Sequence, residues 1–243
     1  MSQGHVTIDG EEVSFEPGQT LMEAATAAGI YIPRLCHHPE FVPHGSCKLC
    51  TVDVNGRHVA ACTTPATDRQ RVQNNTPELN DLRRSLIQML FVEGNHICPA
   101  CEKSGNCQLQ ALGYRLTMLS PHYNHLFPRR EVDASHPDVL LDRNRCIFCE
   151  LCVRASRDVD GKHVFGLSGR GIHTQLIVNA ASGKLRDTDL AVTDKAVTVC
   201  PVGAILKKRQ GFAVPIGRRL YDRQPIGMAD ARSGQKNKER DHG

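Results

Sequence analysis

Eleven cysteines in three groups restrict what this 243-residue chain can fold into. The first group is spaced CX10CX2CX11C, the second CX2CX5C, and the third CX2CX2C with one more cysteine far downstream. Their members are Cys36, Cys47, Cys50 and Cys62, then Cys98, Cys101 and Cys107, then Cys146, Cys149, Cys152 and Cys200. Thiolates in such numbers form disulfides, zinc sites or iron–sulfur clusters, and the spacing within each group separates these alternatives.

The N-terminal sequence MSQGHVTIDGEE lacks the basic and apolar regions of a secretory signal, and no stretch approaches the roughly 18 apolar residues that span a bilayer. We therefore expect a cytoplasmic protein with no membrane span, in which reducing conditions favour metal ligands over disulfides. The net charge of +4 is modest, and the basic C-terminal residues lack interleaved aromatic side chains. We expect no nucleic-acid partner.

The pattern of the first segment, residues 1–75, predicts a β-grasp domain within an α+β protein. Turn signals at residues 9–10 and 55–56 each join two alternating apolar and polar runs, as in hairpins. Between them, a capping-box pair predicts a helix that begins after Thr20 and ends at Gly29. Two hairpins packed around one helix make a β-grasp.

Residues 76–120 are predicted to form a small helical domain. A helix over 76–93 has Thr76 as its N-cap, and a second helical stretch, QLQALGYRLTM, follows the second cysteine group. The apolar stripe of the first helix is predicted to comprise Leu79, Leu82, Leu86 and Leu90.

The rest of the chain divides by composition. Residues 121–137 carry prolines and histidines without periodicity and are predicted to form a linker over the surface. Residues 138–206 have cysteines at both ends and a strand-like HTQLIVNA, and they are predicted to form a ferredoxin-like domain. Residues 207–243 are predicted to be an extended partner-binding tail, disordered over 229–243.

The first cysteine group differs from the paired CX2C knuckles of most zinc sites, because only one of its pairs is close. Plant-type [2Fe–2S] proteins carry a comparable ligand loop on a β-grasp. Gly45 and Ser46 supply small residues that let backbone N–H groups approach sulfide. We therefore predict a [2Fe–2S] cluster here, with a structural zinc site as the alternative.

The second group offers three thiolates, whereas a [4Fe–4S] cluster normally has four ligands. His96, two residues before Cys98, is the nearest side chain with a suitable lone pair, and a neutral imidazole would leave the cluster less negative than a fourth thiolate. We predict His96 as the fourth ligand. The other candidates are His122, His125 and His136.

The third group has the CX2CX2C run that holds three corners of a [4Fe–4S] cube, with Cys200-Pro201 as the fourth. Ferredoxins with two clusters have a second set of ligands, and the matching positions here hold Ser156, Leu190, Thr193 and Ala196. We predict a ferredoxin fold with one [4Fe–4S] cluster, held by four thiolates and therefore suited to electron transfer.

The order of these three sites resembles the N-terminal part of the large iron–sulfur subunit of respiratory complex I and of iron-only hydrogenases. The segments VEGNHICPACEKSGNC and VPIGRRLYDRQPIG most resemble the small diaphorase subunit of soluble NAD-reducing nickel–iron hydrogenases. This resemblance implies as partners a flavin- and NAD-binding diaphorase subunit and the small and large subunits of a nickel–iron hydrogenase.

The chain departs from the resemblance at the second site. In complex I and iron-only hydrogenases the ligand histidine lies four residues before the first cysteine of its loop, where this chain has Gly94. A two-residue deletion aligns Asn95 and His96 with the Asn-His pair of those families. The resemblance thus assigns the ligand role to His96.

No substrate site is apparent in the sequence. The glycine-rich segment 166–171 lacks the strand, GxGxxG and helix order of a dinucleotide site, and no cysteine pairs remain for nickel. We expect one [2Fe–2S] and two [4Fe–4S] clusters, no flavin, NAD or nickel, and an electron-relay role in a hydrogen:NAD+ oxidoreductase. The alternatives are a relay subunit of an NAD-dependent formate dehydrogenase or complex I-like NADH dehydrogenase, and a zinc-stabilised scaffold protein.

Overall fold

The computed structural model describes residues 4–228 and confirms the α+β prediction. Its strands are β1 (Gly4–Ile8), β2 (Glu11–Phe15), β3 (Thr51–Val54), β4 (Arg57–Ala60), β5 (Arg71–Gln73), β6 (Val132–Asp133), β7 (Val139–Asp142), β8 (Phe165–Ser168), β9 (Gln175–Val178) and β10 (Ile205–Lys207). Its helices are α1 (Leu21–Ala27), α2 (Pro77–Glu93), α3 (Gln108–Arg115), α4 (Leu151–Asp158), α5 (Lys195–Thr198) and α6 (Leu220–Arg223). None of the helices found in residues 4–228 is long and apolar enough to cross a membrane.

The chain divides into two compact units. Within the described residues, the first contains 4–86, 112–118 and 224–228. The second contains 87–111 and 119–223. Helices α2 and α3 therefore each contribute residues to both units.

The first unit is built on one five-stranded sheet in the order β2-β1-β5-β3-β4. The two predicted hairpins are present, and Asp9 and Asn55 adopt positive φ angles at their turns, as tight hairpin turns require. The sequence did not predict β5, which has only three residues, pairs in parallel with β1 and pairs antiparallel with β3. This short strand joins the two hairpins into one sheet.

Helix α1 covers this sheet and begins at the predicted capping box. The Thr20 side chain accepts a hydrogen bond from the Glu23 backbone at 3.2 Å, and the Glu23 carboxylate accepts one from the Thr20 backbone at 2.7 Å. Gly29, at φ +79°, follows the last turn as predicted. The apolar face of α1 is buried in a core shared with strand residues of the sheet.

Helix α2 begins as predicted, because Thr76 Oγ1 accepts a hydrogen bond from the Leu79 backbone at 3.2 Å. Its predicted apolar stripe is wrong at Leu82, which is 38% exposed. The buried face instead runs through Leu79, Arg83 and Ile87, and Arg83 is only 1% exposed. The reason is that the Arg83 guanidinium finds enough buried carbonyl acceptors to replace its hydration.

The second unit contains a three-stranded antiparallel sheet, β10-β7-β6, and the hairpin β8-β9. Strand β9 lies in the predicted HTQLIVNA segment, whereas β6 lies in the stretch predicted as a linker. Asp133, at the end of β6, is buried, and its carboxylate accepts hydrogen bonds from the backbones of Ser135 and Leu185. The disorder predicted for 229–243 lies outside the described residues.

Candidate metal centres

The first cysteine group comes together in the first unit. Cys36, Cys47 and Cys50 lie on the loop between α1 and β3, and Cys62 follows β4. The Cys47 backbone donates to Cys36 Sγ at 3.5 Å, and the Cys50 and Cys62 sulfurs are 3.3 Å apart. Cys47 is half-buried, and the other three are buried. The loop thus turns its thiols toward one another and away from water.

Contacts between these thiols shift their pKa values in opposite directions. A hydrogen bond from the Cys47 thiol, with backbone donors from Ser46 and Cys47, lowers the pKa of Cys36 to about 4 and raises that of Cys47. The contact between Cys50 and Cys62 raises the pKa of Cys50 and lowers that of Cys62. In each pair, the contact therefore favours the thiolate form of one thiol, Cys36 or Cys62, and the thiolate is the form that binds iron.

Arg83 fixes the loop around Cys50. Its Nε donates to the Leu49 carbonyl at 3.1 Å, and its Nη2 donates to the Thr51 carbonyl at 2.8 Å. These two carbonyls flank Cys50, so one guanidinium holds the backbone on both sides of a predicted ligand. Arg83 was not among the residues predicted from the sequence, although its placement four residues from both Leu79 and Ile87 puts it on their helix face.

The second group lines a cavity of the second unit, here called the His96 cavity. Its lining includes all four predicted ligands, His96, Cys98, Cys101 and Cys107. Cys98 begins a short helical turn, and Cys107 lies directly before α3. The four side chains therefore reach one space although they come from different local structures.

The His96 residue is half-buried, but its Nε2 atom is buried and has no hydrogen-bond partner. Burial lowers the pKa of His96 to about 4, so the ring is neutral at physiological pH and keeps a free lone pair. A Cβ on Gly94 would lie 2.6 Å from that Nε2. Because Gly94 has no side chain, the His96 ring can occupy the space directly beside it.

The other candidate histidines do not line this cavity. His136 is buried, and its Nδ1 accepts hydrogen bonds from the backbones of Asp138 and Val139. Its Nε2 lies 2.9 Å from the Leu190 carbonyl. His122 and His125 lie on the chain between α3 and β6 and are not among the residues that line the cavity.

The third group lines another cavity of the second unit, here called the Cys146 cavity, which includes Cys146, Cys149, Cys152 and Cys200. Cys152 lies on α4, and Cys200 follows α5. Phe148 and Glu150 adopt left-handed backbone conformations at φ +52° and +58°, which curl the CX2CX2C run around the cavity. Neither conformation was predicted from the sequence.

Burial raises the pKa values of thiols in both cavities. The pKa of Cys107 and that of Cys146 are each raised to about 12, and those of Cys98 and Cys152 are also raised. These groups are protonated at neutral pH without a bound cation. Metal binding at either cavity therefore releases protons.

The positions that would hold a second ferredoxin cluster have other roles. Ser156 is fully buried, and its Oγ accepts a hydrogen bond from the Val164 backbone at 2.8 Å. Leu190 and Ala196 are buried apolar residues, and Thr193 is exposed. Three of these four positions are thus occupied by side chains that pack or hydrogen-bond within the fold.

The donor sets fit iron–sulfur clusters. Each cavity is lined by four soft or borderline ligands, and His96 contributes an orphaned buried nitrogen. Over residues 4–228, no three His, Cys, Asp or Glu side chains converge closely enough to hold a single metal ion. The thiols and the imidazole surround a space instead of meeting at one point.

Three family models match successive parts of the chain. They describe a 2Fe–2S iron–sulfur cluster binding domain at residues 3–77, an NADH-ubiquinone oxidoreductase-G iron–sulfur binding region at 83–122, and a 4Fe–4S single cluster domain at 139–206. Each match contains one of the three cysteine groups. Their order agrees with the order of sites predicted from the sequence.

The chain is 43% identical to the gamma subunit of the NAD-reducing hydrogenase HoxS of Cupriavidus necator, over 91% of this chain and 94% of that protein. It is 32% identical to the mitochondrial NADH-ubiquinone oxidoreductase 78 kDa subunit of Candida albicans, over 87% of this chain but only 29% of that protein. A crystal structure of an NAD+-reducing [NiFe]-hydrogenase in the H2-reduced state contains a chain that is 50% identical, with a TM-score of 0.91. That likeness covers 95% of this chain and 98% of the other.

Proposed function

Because the chain belongs to the family of the gamma subunits of NAD-reducing hydrogenases, we propose that it is the iron–sulfur relay subunit of such an enzyme. It carries electrons between a flavin- and NAD-binding diaphorase subunit and the small and large subunits of a nickel–iron hydrogenase. The observation that carries this proposal is the gathering of two four-ligand sets at two cavities of one compact unit. Such paired sites suit electron transfer through a protein.

Each ligand set has a separate assignment in this proposal. A [2Fe–2S] cluster is held by Cys36, Cys47, Cys50 and Cys62, one [4Fe–4S] cluster by His96, Cys98, Cys101 and Cys107, and another by Cys146, Cys149, Cys152 and Cys200. When bound, these clusters supply one-electron transfer. The surrounding residues keep water from the thiols, hold the loops and set the local charge. We assign no flavin, NAD or nickel site and no substrate-converting site to this chain.

The modular organisation follows the same assignments. Residues 1–75, 76–120 and 138–206 form the three ligand-bearing domains, with 121–137 as a connection. Residues 207–243 form a tail that binds partner subunits, consistent with the exposure of Phe212 and Ile216. None of the eleven cysteines, all of which lie within residues 4–228, forms a disulfide, which suits the reducing cytoplasm.

A Cys149→Ser variant in the intact complex tests the relay. It removes one thiolate of the Cys146 cavity, so hydrogen-driven NAD+ reduction should fall sharply. NADH oxidation by an artificial dye and dye reduction by hydrogen should both continue, because each uses one end of the complex. Thr198→Ser, an exposed conservative change two residues before Cys200, is the matched control and should leave all three activities intact.

Three other outcomes decide against the proposal. Undiminished hydrogen-driven NAD+ reduction in Cys149→Ser would place this site off the electron path. Copurification with a formate dehydrogenase or with complex I-like subunits would instead support the alternative enzymes. Metal analysis that finds chiefly zinc, in a colourless protein, would support the scaffold alternative.

A further inference from the structure

Two chain segments form a wall shared by the His96 cavity and the Cys146 cavity. In one segment Arg145 lines the His96 cavity, while its neighbour Cys146 lines the other. In the second segment Gly203 lines the His96 cavity, while Val202 and Ala204 line the other. Among the residues of the described chain that line the His96 cavity, Arg145 is the one with a permanent charge.

Arg145 is held in place by two carboxylates. Its Nη1 donates to Glu102 Oε2 at 2.7 Å, and its Nε donates to Asp142 Oδ2 at 2.9 Å. The Arg145 side chain is only 19% exposed. The guanidinium is therefore fixed at the edge of the cavity, where its charge is poorly screened by water.

Because Gly203 has no side chain, the Arg145 side chain can lie close to the predicted ligand Cys101. The position that a Cβ on Gly203 would occupy is 2.8 Å from Cys101 Sγ and 3.3 Å from Arg145 Cδ. The stem of Arg145 and the Cys101 sulfur thus approach each other across a bare glycine. Any side chain at residue 203 would need to displace one of them.

We propose that Arg145 raises the reduction potential of the cluster held by His96, Cys98, Cys101 and Cys107. A cluster that gains one electron gains one negative charge, and a fixed cation beside a ligand stabilises that reduced form. The neutral His96 ligand acts in the same direction, since it adds no negative charge. This inference rests on the proposed function, because it requires a cluster in the His96 cavity.

EPR-monitored redox titration of the intact complex tests the proposal. Arg145→Gln removes the cation and leaves both carboxylates uncompensated. In Arg145→Gln, we expect the equilibrium constant for one-electron reduction of this cluster to fall at least tenfold. This corresponds to a decrease of about 59 mV in its reduction potential. Arg145→Lys keeps the charge and should shift the equilibrium by much less. Glu102→Gln removes an opposing negative charge and should shift the potential upward.

The opposite signs expected for Arg145→Gln and Glu102→Gln separate an electrostatic role from a structural one. An unchanged potential in a fully loaded Arg145→Gln complex would overturn the proposal, and so would a downward shift in both variants. If Arg145→Gln fails to load the cluster, an unchanged or lowered potential in Glu102→Gln would overturn it. Wild-type complex without any iron–sulfur EPR signal would instead contradict the proposed function.

Discussion

Replacing Arg83 with methionine tests whether the loop of the first cysteine group depends on a buried cation. Besides the carbonyls of Leu49 and Thr51, the guanidinium donates to the Asn74 carbonyl at 2.7 Å and to Asn74 Oδ1 at 2.8 Å. Burial lowers the pKa of Arg83 to about 10, so the side chain remains charged at neutral pH. Methionine is also long and unbranched but provides none of these donors.

The expected loss follows from the acceptors left without this donor. The carbonyls of Leu49, Thr51 and Asn74 each lose a hydrogen bond, and a buried unsatisfied polar group costs about 1–3 kcal/mol. Part of this loss is offset, because the variant no longer has to desolvate a guanidinium group on folding. We expect a net loss of about 2–4 kcal/mol. This loss corresponds to about a 30- to 700-fold increase in the equilibrium constant for local opening of the loop that carries the first cysteine group.

The assay follows the [2Fe–2S] cluster in the full chain. Arg83→Met should lower the occupancy of this cluster, measured by EPR and iron content. It should also increase the rate at which the cluster bleaches in the denaturant guanidinium chloride at least tenfold. Arg84→Met is the matched control on the same helix. Arg84 makes one bond to the Leu116 carbonyl and an ion pair with Asp81, and its side chain is 33% exposed. We therefore expect a much smaller effect.

The EPR signals of the two proposed [4Fe–4S] clusters provide an internal reference. If they are retained while the [2Fe–2S] signal is lost, the damage is local to the loop that Arg83 anchors. Full [2Fe–2S] occupancy and wild-type bleaching in Arg83→Met would refute this reasoning. Equal loss of all three signals would show that Arg83 supports folding of the whole chain and not one loop.

Three further predictions concern the metal content and the His96 cavity. Anaerobically purified protein should contain about ten irons per chain with matching sulfide and little zinc, and chelation should reduce its folded structure in circular dichroism. His96→Ala should abolish the EPR signal of the cluster in the His96 cavity and keep the other two signals. An unchanged spectrum would point to another ligand. Gly94→Ala should weaken the same signal, because its Cβ would lie 2.6 Å from His96 Nε2 and 2.9 Å from the Asn144 carbonyl. Normal occupancy of the cluster in the His96 cavity of Gly94→Ala would show that the His96 ring does not need the space beside Gly94.

Features that depend on near neighbours could be predicted from the sequence. The hairpin turns at residues 9–10 and 55–56 and the capping box at Thr20 were confirmed, because turn and cap preferences depend on a few adjacent residues. Cysteine spacing likewise predicted which cysteines lie close together in the first unit and which line each cavity of the second, since short spacings limit which sulfurs can approach one another; their role as ligands stays a prediction.

Other features depend on residues far apart in the chain. Strand β5 is too short to be predicted alone, and it forms because β1 and β3 both offer edges to it. Leu82 was predicted to be buried and is exposed, because Arg83 takes the inward position that its carbonyl acceptors make favourable. Those acceptors come from residues 49, 51 and 74, and no local pattern in α2 indicates them.

For the predicted ligands too, some properties follow from the sequence and others only from the tertiary structure. The sequence determined which side chains could bind metal, through the number and spacing of cysteines and the neighbouring His96. Only the tertiary structure decided the surroundings of those side chains, including the bare Gly94 beside the His96 ring and Arg145 held between two carboxylates. The physical reason is that ligand identity is a property of single residues, whereas burial, open space and local charge arise from segments that only folding brings together.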